Sequence, residues 1–139
     1  MNYGYALLSC KSKAPPMSVK QRLQSAAGEK HLHVVAIHYA NSQPFACEDR
    51  WINLKAVPRA ESANFEEVSA NEWLVNNIPF ERGAIVFSAQ SASSRIAKRL
   101  ECDEGAALFT IDRKTMREQS VLTVVQISFA PGYQMHAVL

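Results

Sequence analysis

The sequence predicts an α+β fold, a mainly antiparallel sheet with flanking helices. Two stretches, 34–53 and 108–129, each alternate apolar and polar residues on either side of a polar turn, as β-hairpins do. The segments around them carry helical spacing and capping residues instead. Their order is strand, helix, hairpin, helix, strand, helix, hairpin, which suits helices packed on an antiparallel sheet. A chain of 139 residues fits one domain, with enough length to bury a core unaided by disulfides or metal.

The elements follow in order. Residues 4–11 read as a short strand, closed by Lys11, Lys13 and Pro15-Pro16. Met17, Val19, Leu23 and Ala26 mark one side of a helix, with Lys20 and Arg22 on the other and Gly28 as the expected stop. The first hairpin turns at Asn41-Ser42-Gln43-Pro44. Pro58 and residues 61–64 form a loop, after which Ser69-Ala70-Asn71-Glu72 has the Ser-x-x-Glu form of a capping box that opens a helix through Trp73 and Leu74. Pro79 ends it. The apolar strand Ala84 to Ala89 leads to Ser91, the expected N-cap of a helix in which Ile96, Ala97 and Leu100 share a face and Arg95, Lys98 and Arg99 lie toward solvent. Leu108 to Thr115 and Val121 to Phe129 make the second hairpin, turning near Arg117-Glu118-Gln119.

A net charge of +2 with 20% charged residues is too balanced for a dedicated nucleic-acid binder. The three cysteines, Cys10, Cys47 and Cys102, are odd in number and widely spaced, which indicates reduced thiols in a cytoplasmic protein and no disulfide framework. No apolar run approaches the roughly 18 residues of a membrane helix. His31 and His33 share a strand face without a third ligand at a metal-site spacing, so a surface face is expected there. No nucleophile elbow or glycine-rich phosphate loop appears, and neither a catalytic residue nor a cofactor or metal is assigned.

The informative chemistry lies in the first hairpin. Glu48 and Arg50 share a strand face, and an even register across the turn adds His38 to it. Charged groups are seldom fully buried unless paired, so this face is solvated, internally paired, or the wall of a polar pocket. Ser69 caps a helix, and the same helix end offers free N–H groups to an anion. Arg82, Arg95 and Arg113 are further cations for an acidic ligand, each with ordinary surface exposure as the simpler reading.

Gly28-Glu29, His38-Tyr39, Pro44, Glu48-Asp49-Arg50-Trp51-Ile52-Asn53, Val57-Pro58, Ser69 to Leu74, the helix Ala92 to Leu100 with Gly105 after it, and Tyr133 occur in an order that resembles the UTRA effector domain of HutC-type regulators in the GntR superfamily. The histidine-utilisation repressor branch is the most similar. The resemblance spans nearly the whole chain, with the Glu-Asp-Arg-Trp-Ile-Asn string as its most specific part. It implies a chorismate-lyase-like fold and a single effector-binding and dimerisation domain over 1–139. It also implies a homodimer that meets DNA only through a winged-helix domain not found in this chain.

The family's site implies contacts from Glu48 and His38, a hydroxyl at Ser69 and an aromatic residue at Tyr133; Arg50, another arginine or the Ser69 helix end is available to a carboxylate. The branch implies urocanate as the effector, while other members bind sugar phosphates. An enzyme of the chorismate-lyase type is the alternative on the same fold.

Overall fold

Both predicted hairpins form, and they meet in the middle of one sheet. The computed structural model describes residues 2–139, with the elements β1 (Tyr3–Ser12), α1 (Met17–Leu23), β2 (His31–Ala40), β3 (Gln43–Asn53), α2 (Ala70–Asn77), β4 (Arg82–Ser91), α3 (Ser94–Leu100), β5 (Ala107–Arg117) and β6 (Ser120–Phe129). A 3-10 turn, Pro58–Ser62, lies between β3 and α2. The six strands run in the order β1-β2-β3-β6-β5-β4, and every neighbouring pair is antiparallel. The α+β expectation and the order of elements both hold.

Register decides what each face carries. His38 lies opposite Ala46, Ala36 opposite Glu48 and Val34 opposite Arg50, so His38, Glu48 and Arg50 do share a face. Across β6 and β5, Arg50 lies opposite Val125 and Val125 opposite Arg113, which places Arg113 on that same face. Here α2 and the 3-10 turn bury Leu32, Val34, Ile52, Val57, Phe65, Leu74 and Leu122 in the main core. On the reverse face α1 packs Leu23 against Trp51 and Val124, while α3 packs Ala97 and Leu100 against Cys47 and Leu108. Two thin layers of helix thus cover the centre of the sheet. Its β4 margin stays bare.

Several local expectations need correction. The first helix stops at Leu23, the last residue with a place in the core, and Gln24 caps it in the left-handed conformation, well before Gly28. The hairpin turn is tighter than four residues. Asn41 and Ser42, at φ 50 and 66, form a two-residue turn whose positive φ angles match strand twist, while Gln43 and Pro44 already belong to β3. Pro44, which has no N–H, lies opposite Tyr39, and the register then shifts so that Phe45 bulges. Ser93, not Ser91, caps α3 by accepting from the Ile96 N–H at 3.3 Å, because β4 remains paired with β5 as far as Ser91 and Ala107. Ser69 caps α2 as expected, accepting from the Glu72 N–H at 3.2 Å.

His31 and His33 are buried rather than at the surface. The His33 ring stacks on Trp51 at 4.1 Å and bonds the Asp49 carboxylate at 2.8 Å, and His31 Nε2 meets the Ser25 hydroxyl at 2.6 Å. Each imidazole is held by a partner from a neighbouring segment, which period-two spacing alone does not reveal. The three cysteines are free, and among the described residues no helix is long and apolar enough to cross a membrane.

Candidate functional site

A row of polar groups crosses the buried face of the sheet. Tyr3 Oη and His38 Nδ1 are 2.5 Å apart, His38 Nε2 and Glu48 Oε1 3.2 Å, and Arg50 Nε donates to Glu48 Oε2 at 2.9 Å. Arg50 Nη1 then donates to Thr123 Oγ1 at 3.2 Å, and Thr123 donates to the Trp51 carbonyl at 2.8 Å. An ionised carboxylate can only accept, so His38 Nε2 carries the proton shared with Glu48, and in the neutral ring Nδ1 accepts from Tyr3. Strand alternation makes this row: the i, i+2 spacing of Glu48 and Arg50 stands them side by side, and cross-strand neighbours supply the rest.

Burial of the Glu48 carboxyl works to raise its pKa, but the Arg50 charge and the hydrogen bonds from His38 and Arg50 prevail and hold it down to about 2. Glu48 and Arg50 are 3% and 1% exposed, so the pair is held away from bulk water. Such a pair is costly to desolvate and tolerable only when its geometry is satisfied. One atom is left over. Arg50 Nη2 is buried and has no hydrogen-bond partner among the described residues.

Arg50 lines a cavity of about 330 Å³ between α2, the Ile78 to Phe80 segment and strands β4 to β6. Leu74, Val75, Ile78, Phe80, Ile85 and Leu122 form apolar walls. Arg113, Asn71, Thr115 and Thr123 supply the polar groups beside Arg50. Arg113 Nη2 donates to Asn71 Oδ1 at 2.7 Å, which fixes the guanidinium against the first turn of α2. Desolvation, followed by the nearby Arg50 charge, lowers the Arg113 pKa, a shift that leaves a guanidinium protonated while marking the strain of two cations at one site. Glu48 neutralises Arg50, and the positive charge of Arg113 is left without a carboxylate partner among the described ion pairs. The cavity suits a small anion with a flat or apolar body.

The residues singled out in sequence fall into three groups. Arg50 lines the cavity, and Glu48 and His38 stand behind it in the polar row. Ser69 spends its hydroxyl on the helix cap, two residues before the cavity-lining Asn71. Arg82 is exposed at the start of β4, next to the cavity-lining Gly83. Tyr133 lies apart, stacked on Phe129 at 4.1 Å and on Phe109 at 6.0 Å. Asn71, Thr115 and Thr123 carry no sequence signal of their own. Arg113 is one of the three further cations named from the sequence, and the register of β5 with β6 is what brings it level with Arg50.

The UTRA domain model matches residues 1–135. Two curated relatives are histidine utilization repressors, one from Pseudomonas aeruginosa, 25% identical over 72% of this chain and 40% of its own length, and one from Pseudomonas putida, 23% identical over 76% of this chain and 42% of its own. The chain therefore spans about two-fifths of the length of the curated relatives it matches. Among solved structures, the C-terminal domain of histidine utilization repressor from Pseudomonas syringae pv. tomato superposes with a TM-score of 0.90 at 21% identity, covering 99% of both chains. A GntR-family transcriptional regulator from Bacillus cereus superposes with a TM-score of 0.84 at 11% identity, covering 99% of this chain and 98% of the other. At these identities the superpositions show a shared fold.

Proposed function

The chain belongs to the UTRA domain family, effector-binding domains of GntR/HutC-type transcription regulators, and from that premise we propose that its cavity binds urocanate or a closely related small carboxylate. The observation that carries this reading is the buried, unpartnered Nη2 of Arg50 in a cavity that also holds the Arg113 guanidinium. A carboxylate placed between them would satisfy an orphaned donor and offset an uncompensated charge. The apolar walls from α2 and Phe80 suit the planar unsaturated body, and the Thr115 and Thr123 hydroxyls suit a ring nitrogen. Two relatives that are histidine utilization repressors support a ligand from histidine breakdown.

In the full regulator the domain acts as a cytoplasmic homodimer and meets DNA through a winged-helix domain on the same polypeptide. The effector works by its difference in affinity for two arrangements of the dimer, and no bond is made or broken. Nitrogen-resolved NMR of the arginine side chains tests the site directly. Urocanate is expected to move the Nε–H resonances of both Arg50 and Arg113. If both stay fixed at saturating ligand while resonances elsewhere shift, the ligand sits in another place.

A further inference from the structure

The reverse face of the sheet carries a second polar row, back to back with the first. Register sets Asp49, Gln126 and Asp112 side by side across β3, β6 and β5. On this face α1 packs over Trp51 and Val124 and α3 over Cys47 and Leu108, so Asp49 and Gln126 lie in the gap between the two helices. That gap is a groove of about 580 Å³, within the range of small-molecule sites and larger than the Arg50 cavity. The two share no lining residue.

Most of the charge around this groove is matched internally. His33 Nε2 bonds Asp49 at 2.8 Å, Arg22 meets Asp112 at 3.4 Å, and the Gln126 amide donates to Asp112 at 3.2 Å. Two cations are left over. Lys13 and Arg95 line the groove and belong to no ion pair among the described residues. Lys13 is held in place: its backbone N–H donates to the His31 carbonyl at 3.1 Å, Pro15 and Pro16 stiffen the loop behind it, and its Nζ stands 5.8 Å from the Trp51 ring centroid. Arg95 comes from the other wall, on α3. The groove therefore holds two unbalanced positive charges supplied by separate segments, with the Gln126 amide on the floor.

We propose that this groove binds a small dicarboxylate, with one acid group on Lys13, the other on Arg95 and the chain between them over Gln126. Two separate single charges match two separated carboxylates better than one concentrated dianion such as phosphate, which needs its cations to converge on a point. A monocarboxylate leaves one cation unbalanced. Pro15 and Val19 supply apolar wall for the methylene chain. Asp49 lies between Glu48 and Arg50 in β3, so a ligand here rests against the other face of the strand that carries the effector residues. Any influence on the effector rests on the reading above, whereas the site itself does not.

The indole N–H resonance of Trp51 reads the groove, and that of Trp73, packed edge-on to Phe65 in the core of the other face, serves as an internal control. Succinate is expected to shift the Trp51 resonance saturably and leave Trp73 fixed, while acetate and sodium chloride at matched ionic strength move neither. Lys13→Gln and Arg95→Gln are each expected to weaken succinate binding about tenfold with the melting temperature kept, since both side chains are exposed. No saturable shift of Trp51 with millimolar succinate, an equal response to chloride, a response to inorganic phosphate in place of succinate, or binding indifferent to both substitutions would overturn the proposal. Urocanate read at Arg50 and Arg113 is independent of these outcomes, so the two sites stand or fall separately.

Discussion

Glu48 and Arg50 occupy alternate positions of a single strand and hydrogen-bond each other at 2.9 Å with almost no exposure to solvent. A pair held this way fixes the orientation of the guanidinium. Nε donates to Glu48 and Nη1 to Thr123, while Nη2 is the guanidinium nitrogen with no partner among the described residues. Rotamer freedom that a ligand would otherwise have to remove is already gone, which is preorganisation in the sense relevant to affinity.

Breaking the pair from one side strands a buried charge. Glu48→Ala is expected to cost about 3–5 kcal/mol, lowering the melting temperature by roughly 10–15 °C in a domain of this size. The double change Glu48→Leu with Arg50→Met is expected to recover most of that loss while abolishing ligand binding. Thermal unfolding followed by circular dichroism checks both, and a Glu48→Ala variant as stable as the parent would contradict the buried pairing.

Acid sensitivity follows from the same carboxylate. Its folded pKa, about 2, lies below the ordinary 4.5, so the stabilisation is fully present above pH 4.5 and is lost as pH falls through 2. Urea midpoints measured between pH 5 and pH 2 are expected to fall, with a shallower slope in Glu48→Gln, which has no proton to take up at that position.

Arg113 is expected to matter for binding and not for folding. Arg113→Met removes a charge-assisted contact of about 1.5–3 kcal/mol, which corresponds to roughly 10- to 100-fold weaker ligand affinity. The melting temperature should hold or rise slightly, because a like charge beside Arg50 is relieved. Calorimetric titration paired with thermal unfolding makes this comparison.

Asn71 positions Arg113 through the 2.7 Å hydrogen bond, and Ser69 caps the same helix. Asn71→Ala is expected to weaken binding with little change in stability, whereas Ser69→Ala is expected to lower stability by about 1 kcal/mol as a lost N-cap. If Ser69→Ala loses ligand affinity far beyond what its stability change explains, the hydroxyl also contacts the ligand.

Much of this was legible in the sequence because alternation and capping are local. The parity of residues 34–53 set His38, Glu48 and Arg50 on one face, and Ser-x-x-Glu located the start of α2. What was not legible depends on contacts between distant segments. Arg113 reads as an ordinary surface arginine until the register of β5 with β6 places it level with Arg50. His31 and His33 read as surface residues until Ser25, Asp49 and Trp51 are seen to enclose them. Ser91 reads as the cap of α3 until β4 is seen to stay paired with β5 as far as Ser91, which leaves the cap to Ser93. The exposure of β4 is also a property of the sheet order, since an apolar run at an edge and one at the centre look alike.

The most direct measurement is calorimetric titration of the chain with urocanate, with histidine and glucosamine 6-phosphate as comparisons. Selective micromolar binding of urocanate, lost in Arg113→Met, is the expected result. Binding of the sugar phosphate in preference to urocanate, or urocanate binding that is indifferent to Arg113, would contradict it.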